Sequence, residues 1–66
     1  MHTVEVSRRE MHLAAFMKHN GARLVEGGPN GFVFETEKGL NEWRVEHSNS
    51  DALAVDRELL TLKRFS

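Results

Sequence analysis

The sequence predicts a small α+β domain, with helices packed on one small antiparallel sheet. Apolar residues recur every three or four positions in residues 8–20 and again in residues 56–65, which is typical of helices that bury one face. Apolar and polar residues alternate in residues 22–26 and 32–36, which predicts two strands of a β-hairpin. A chain of 66 residues has room for one modest core, so we treat residues 1–66 as a single domain.

A short strand is predicted before the first helix, because residues 2–6 alternate between polar and apolar side chains. Ser7 and Glu10 have the spacing of a capping box, in which each side chain binds the other residue's backbone N–H. We therefore expect a helix from residue 8 to about residue 20. Gly21 follows it, and glycine readily adopts the left-handed conformation that ends a helix.

The segment from residue 38 to residue 47 is compatible with two structures. As a helix it places Leu40, Trp43 and His47 on one face. As a strand it places Trp43, Val45 and His47 inward. Glu42 and Glu46 would be a like-charged pair one turn apart on a helix, so the periodicity slightly favours the strand.

A last helix is predicted from Asp56 to Phe65. Asp56 is a suitable N-cap residue, and Leu59, Leu62 and Phe65 recur at the spacing of a buried helical face. We therefore expect one or two C-terminal helices on the sheet, depending on the structure of residues 38–47.

The composition argues against several classes of protein. The chain contains no Cys, so no disulfide or Cys-based zinc site can stabilise it. Nine Lys and Arg against ten Asp and Glu give a formal charge of -1, which is not the electrostatic signature of a general nucleic-acid binder. No apolar run is long enough for a signal peptide or a membrane span. We expect a cytoplasmic protein without membrane contact, and a homodimer is a reasonable hypothesis for so small a core.

The order of these features resembles a family of very short phage and prophage proteins that is classed only as a domain of unknown function. The similar runs are HLAAFMKHNGARLV, GFVFE and AVDRELLTLKR. The resemblance implies a helix at residues 39–48, a phage or prophage gene and a host-cell location, and it brings no catalytic residues. The matching positions are Ala15, Phe16, Met17, Gly21, Leu24, Phe32, Phe34, Glu35, Val55, Asp56, Leu59 and Leu62.

The histidines do not form a recognisable metal or catalytic motif. His12 and His19 lie seven residues apart on one predicted helix, which separates their Cα atoms by about 10 Å and does not suit one zinc ion. His2 and His47 are further candidate ligands, but their positions match no known spacing of a metal site. No motif flanks a candidate nucleophile, and so short a chain has difficulty enclosing a substrate pocket. We expect no enzyme, no metal and no cofactor.

The glycine-rich segment Gly27–Gly31 could be confused with a phosphate-binding loop. A phosphate-binding loop leads into a helix, whereas the alternating run GFVFE follows this one. The segment is therefore interpreted as the turn of the hairpin.

Five basic residues are candidates for binding a partner. Arg8 and Arg9 are predicted in the first helical turn, where positive charge opposes the helix dipole, so an anionic partner is one explanation and pairing with nearby glutamates is the simpler one. Arg57, Lys63 and Arg64 lie on the last helix, and all five would form one basic face if the two helices packed side by side.

Trp43 is the only tryptophan and is interpreted first as a core residue, then as an anchor for a partner. The sequence as a whole favours a phage-type accessory protein that acts as a non-catalytic module binding an unknown host or phage protein. The alternative is a small nucleic-acid-binding regulator that uses Arg8, Arg9, Arg57, Lys63 and Arg64.

Overall fold

A computed structural model describes residues 1–50 and 55–64, and within these ranges the α+β class is confirmed. The described residues include three strands, three α-helices and the 3-10 turn that precedes the first α-helix. The strands are β1 (His2–Ser7), β2 (Arg23–Gly28) and β3 (Gly31–Thr36). The 3-10 turn is Arg8–Glu10, and the helices are α1 (Met11–His19), α2 (Leu40–Ser48) and α3 (Asp56–Lys63).

The strands form one antiparallel sheet in the order β1-β3-β2. The hairpin of β2 and β3 was predicted, but its turn is only Pro29 and Asn30, because the strands extend to Gly28 and Gly31. The first strand pairs with the other side of β3. On the face that the helices cover, alternate residues of β1 and β3 are buried, and these are Val4, Val6, Phe32 and Phe34.

The predicted capping box does not form, and the first α-helix begins three residues later than expected. Ser7 is the last residue of β1 and pairs with Gly31, and it makes no side-chain capping bond. The backbone N–H of Arg8 donates to the carbonyl of Asn30 at 3.4 Å, which keeps this residue against the hairpin. Strand pairing therefore delays the helix, and Arg8–Glu10 is a 3-10 turn.

The end of α1 agrees with the prediction. Gly21 has a φ of 99°, and the N–H of Ala22 donates to the carbonyl of Met17 at 2.9 Å. The Asn20 side chain also donates to the carbonyl of Phe16 at 2.9 Å. These bonds satisfy carbonyls that a helix end leaves without partners.

The first α-helix is the centre of the core. Five consecutive residues, from Leu13 to Met17, are buried, which requires neighbours on several sides of the helix because a surface helix buries one stripe. The sheet, α2 and α3 all pack on α1. On α3, Glu58 pairs with Lys18 of α1 at 2.8 Å, and Leu62 is completely buried.

The second helix corrects the strand that the periodicity slightly favoured, and it agrees with the helix that the resemblance implied. Trp43 is buried, with Leu40 and His47 half-buried on the same side. The glutamate repulsion that argued against a helix is relieved because Glu46 forms an ion pair with Lys38 at 2.5 Å.

The third helix begins differently from the prediction. Val55 occupies the N-cap position, and Asp56 is the first helical residue and makes no side-chain capping bond. Asp56 still lies in the first turn, where a carboxylate interacts favourably with the helix dipole. Leu59 and Leu62 face the core as predicted, and Phe65 lies outside the described residues.

Candidate interaction surface

The outward side of α3 combines an exposed leucine with positive charge. Leu60 is 62% exposed, while Leu62, two residues further on, is buried against α1. Arg57 lies three residues before Leu60, and Lys63 and Arg64 lie three and four residues after it, so the three cations surround it on the helix surface. All three are exposed, and none forms an ion pair with another described residue. We call Arg57, Leu60, Lys63 and Arg64 the α3 face.

The structure does not place Arg8 on this face. Arg8 is half-buried, its Nε donates to the carbonyl of Gly28 at 2.7 Å, and its guanidinium lies 5.1 Å from the centre of the Phe32 ring. The side chain therefore fastens the 3-10 turn to the hairpin.

Arg9 is exposed beside Arg8, on the 3-10 turn, which packs against α1 and β3. The prediction that both arginines oppose the dipole of the first helix was wrong, because α1 begins at Met11.

Trp43 belongs to the core, as the first interpretation predicted. It is 2% exposed, its Nε1 donates to Oγ1 of Thr36 at 3.2 Å, and its ring meets the Phe16 ring edge-on at 5.9 Å between centroids. The Lys38 ammonium lies 4.7 Å from the ring centre. So buried a tryptophan does not fit the role of an exposed anchor for a partner.

A pair of histidines joins α1 to α2. Nδ1 of His12 lies 2.7 Å from Nε2 of His47, and the ring centroids are 5.0 Å apart. The Phe16 ring also packs edge-on against His47, at 5.4 Å. Burial lowers the pKa of His47, the neighbouring His12 lowers it further, and Glu10 opposes the change.

This pair was missed from the sequence, because 35 residues separate its members. The helical alternative for residues 38–47 did place His47 on the inward face, which was the one available signal. The described residues contain no group of three or more histidines and carboxylates that could hold a metal ion, so the pair offers two ligands at most.

A cavity of about 550 Å³ lies at the turn end of the sheet. It is lined by Glu5 and Glu26, whose strands both pair with β3 at Val33, and by Ser7 and Asn30 at the turn. No histidine, lysine or cysteine lines it. It therefore lacks the pairing of a nucleophile with a histidine or lysine base that hydrolytic sites use.

None of the helices in the described part of the chain is long and apolar enough to cross a membrane. Comparisons with protein-family models, with curated proteins and with solved structures gave no match. The resemblance to short phage proteins therefore stays a prediction.

Proposed function

We propose that this chain is a non-catalytic protein-interaction module and that the α3 face is its binding surface. The observation that carries the proposal is the exposure of Leu60, at 62%, in the middle of three exposed cations that form no ion pair with residues in the described part of the chain. The partner would be a protein surface that presents an apolar side chain among carboxylates.

The exposed Leu60 at the centre of the α3 face favours a protein as the partner over a nucleic acid. Burying a leucine side chain contributes about 1.5–3 kcal/mol, and interface energy concentrates in such central residues while charges at the rim set specificity and association rate. A phosphate backbone offers no apolar surface to Leu60, so it would use only the cations.

A second copy of the chain has a surface of the complementary kind. On α2, Val45 is 61% exposed, and the surface around it is formed by Asn41, Glu42 and Glu46. Glu46 is partly neutralised by Lys38, which leaves Glu42 as the carboxylate most able to meet Arg57 of another copy. This pairing supports the homodimer hypothesis, and sedimentation of the protein at micromolar concentration tests it.

Charge-swap variants make that sedimentation test specific. Glu42→Arg and Arg57→Glu should each weaken a dimer by juxtaposing like charges, and the double variant should restore it. If the wild-type protein sediments as a monomer at every concentration tested, the homodimer is excluded and the partner is a different protein with an acidic surface.

Nucleic-acid binding remains the second candidate, supported by the exposed cations of the α3 face. A DNA or RNA titration at increasing salt separates the two functions, because phosphate contacts weaken steeply with salt. Leu60→Ser should leave such binding unchanged, whereas Arg57→Glu should abolish it.

The direct test of the protein-binding function is affinity purification with matched variants. Leu60→Ser and Arg57→Glu should lose a partner that the wild type retains. Val25→Ser is the control, since it removes an apolar side chain that is 50% exposed on β2, away from both helices. Loss of the partner by Val25→Ser but not by Leu60→Ser would refute the role of the α3 face.

The phage or prophage origin implied by the resemblance also belongs to this proposal. It suggests a host or phage protein as the partner, and lysate of a bacterium that carries the gene as the source for the purification.

A further inference from the structure

The contact between His12 and His47 links α1 to α2 through two side chains that can each bind a proton. His12 lies in the first turn of α1 and His47 in the last turn of α2, with two ring nitrogens 2.7 Å apart. At this distance one nitrogen must donate a proton and the other must accept it. Two imidazolium rings have only donors, so the contact cannot survive protonation of both.

The charged groups that face this contact come from the 3-10 turn and from α2. Glu10 and Arg44 form an ion pair at 2.9 Å beside the two rings, and Phe16 of α1 covers one side of His47. Glu10 favours protonated His47, but burial and His12 outweigh it, so the pKa of His47 lies below its ordinary value. The surroundings of His47 thus favour its neutral form.

We propose that the His12–His47 contact is a pH-sensitive latch, which holds the C-terminal half of α2 on α1 at neutral pH and releases it in mild acid. The other half of α2 stays attached, because Trp43 is buried and bonded to Thr36 of β3. Release in acid uncovers the side of Phe16 that His47 packs against. His12 and His47 both lie outside the α3 face.

The test uses the wild-type protein, so it does not depend on a variant that folds. An NMR titration of the imidazole signals should find the pKa of His47 below its ordinary value of 6.5. Amide hydrogen exchange is measured at about pH 7.5 and about pH 5, on either side of histidine's usual titration. After correction for intrinsic rates, residues 44–48 should exchange several-fold faster in acid, while α1 should not.

Variants then assign the effect to the pair. Glutamine keeps hydrogen-bonding atoms without a titratable charge, so His47→Gln and His12→Gln should each remove the acid-induced exchange, and His19→Gln should leave it intact. The latch would be disproved if the pKa of His47 were not below 6.5, or if residues 44–48 exchanged equally at both pH values.

Discussion

Individual side chains in this protein hold separate elements together. Trp43 and Thr36 connect α2 to β3, Arg8 connects the 3-10 turn to the hairpin, and His12 meets His47 across two helices. Patterns within one sequence identify such residues as apolar, basic or aromatic but do not state their partners. This is why Trp43 could be assigned to the core, while the bond of Arg8 to the hairpin could not be predicted.

Removing the Thr36 hydroxyl should destabilise the fold. The Trp43 Nε1 would lose its acceptor inside the core, and a buried donor without a partner costs about 1–3 kcal/mol. We expect Thr36→Val to lower the free energy of unfolding in urea by this amount. Thr36→Ser keeps the hydroxyl and should cost less, so an equal loss for both variants would contradict the importance of this bond.

Replacement of Arg8 by lysine should also be destabilising, although the charge is kept. Lysine has no Nε fork with which to reach the carbonyl of Gly28 while stacking on Phe32. We expect Arg8→Lys to reduce the free energy of unfolding by about 1 kcal/mol. Arg9→Lys is the matched control on the adjacent exposed residue and should change it by less than about 0.5 kcal/mol.

At the scale of helices and strands, local patterns predicted the types of element better than their ends. The hairpin and the first and last helices follow from the spacing of their apolar residues, although α1 is buried on several sides. The start of α1 was misplaced since strand pairing at Ser7 competes with the capping box. The strand and helix alternatives for residues 38–47 depended on contacts that periodicity does not reveal, namely the ion pair of Lys38 with Glu46 and the bond of Trp43 to Thr36.

The hairpin turn offers a comparison between two glycines. Gly31 has a φ of 153°, and a Cβ there would collide with the Val6 carbonyl and lie 2.9 Å from the Cα of Ser7. Gly28 has no atom within 4 Å of such a Cβ.

We expect Gly31→Ala to cost at least about 1–3 kcal/mol in thermal or urea unfolding, from backbone strain alone. Gly28→Ala should be far better tolerated. Similar losses for the two variants would show that close packing of β1 on β3 does not restrict Gly31.

At the scale of the whole molecule, the described residues pack into a core around α1 and leave Leu60 exposed among three cations. The sheet, α2 and α3 pack around α1, and the described buried side-chain nitrogens and oxygens all have hydrogen-bond partners. Composition and periodicity predicted the core. The α3 face could be predicted only in part, because the sequence named its three cations but did not identify exposed Leu60 as its centre.

Stability should fall in mild acid because of His47. Its pKa in the folded protein lies below the ordinary 6.5, so the unfolded chain binds the proton more readily. The contribution is intact above pH 6.5 and is lost as the pH falls through that value towards the folded-state pKa. Thermal unfolding should show this loss for the wild type and less of it for His47→Gln. An identical pH dependence in both proteins would exclude His47 as the cause.

The central claim is that the α3 face is where another protein binds. Photocrosslinking from position 60 tests it most directly, with p-benzoylphenylalanine replacing Leu60 in cells that carry the gene and, as a control, replacing exposed Val25 of β2. We expect a discrete adduct with an acidic protein surface, or with a second copy of the chain, from position 60. No adduct from position 60, or the same adducts from both positions, would contradict the account.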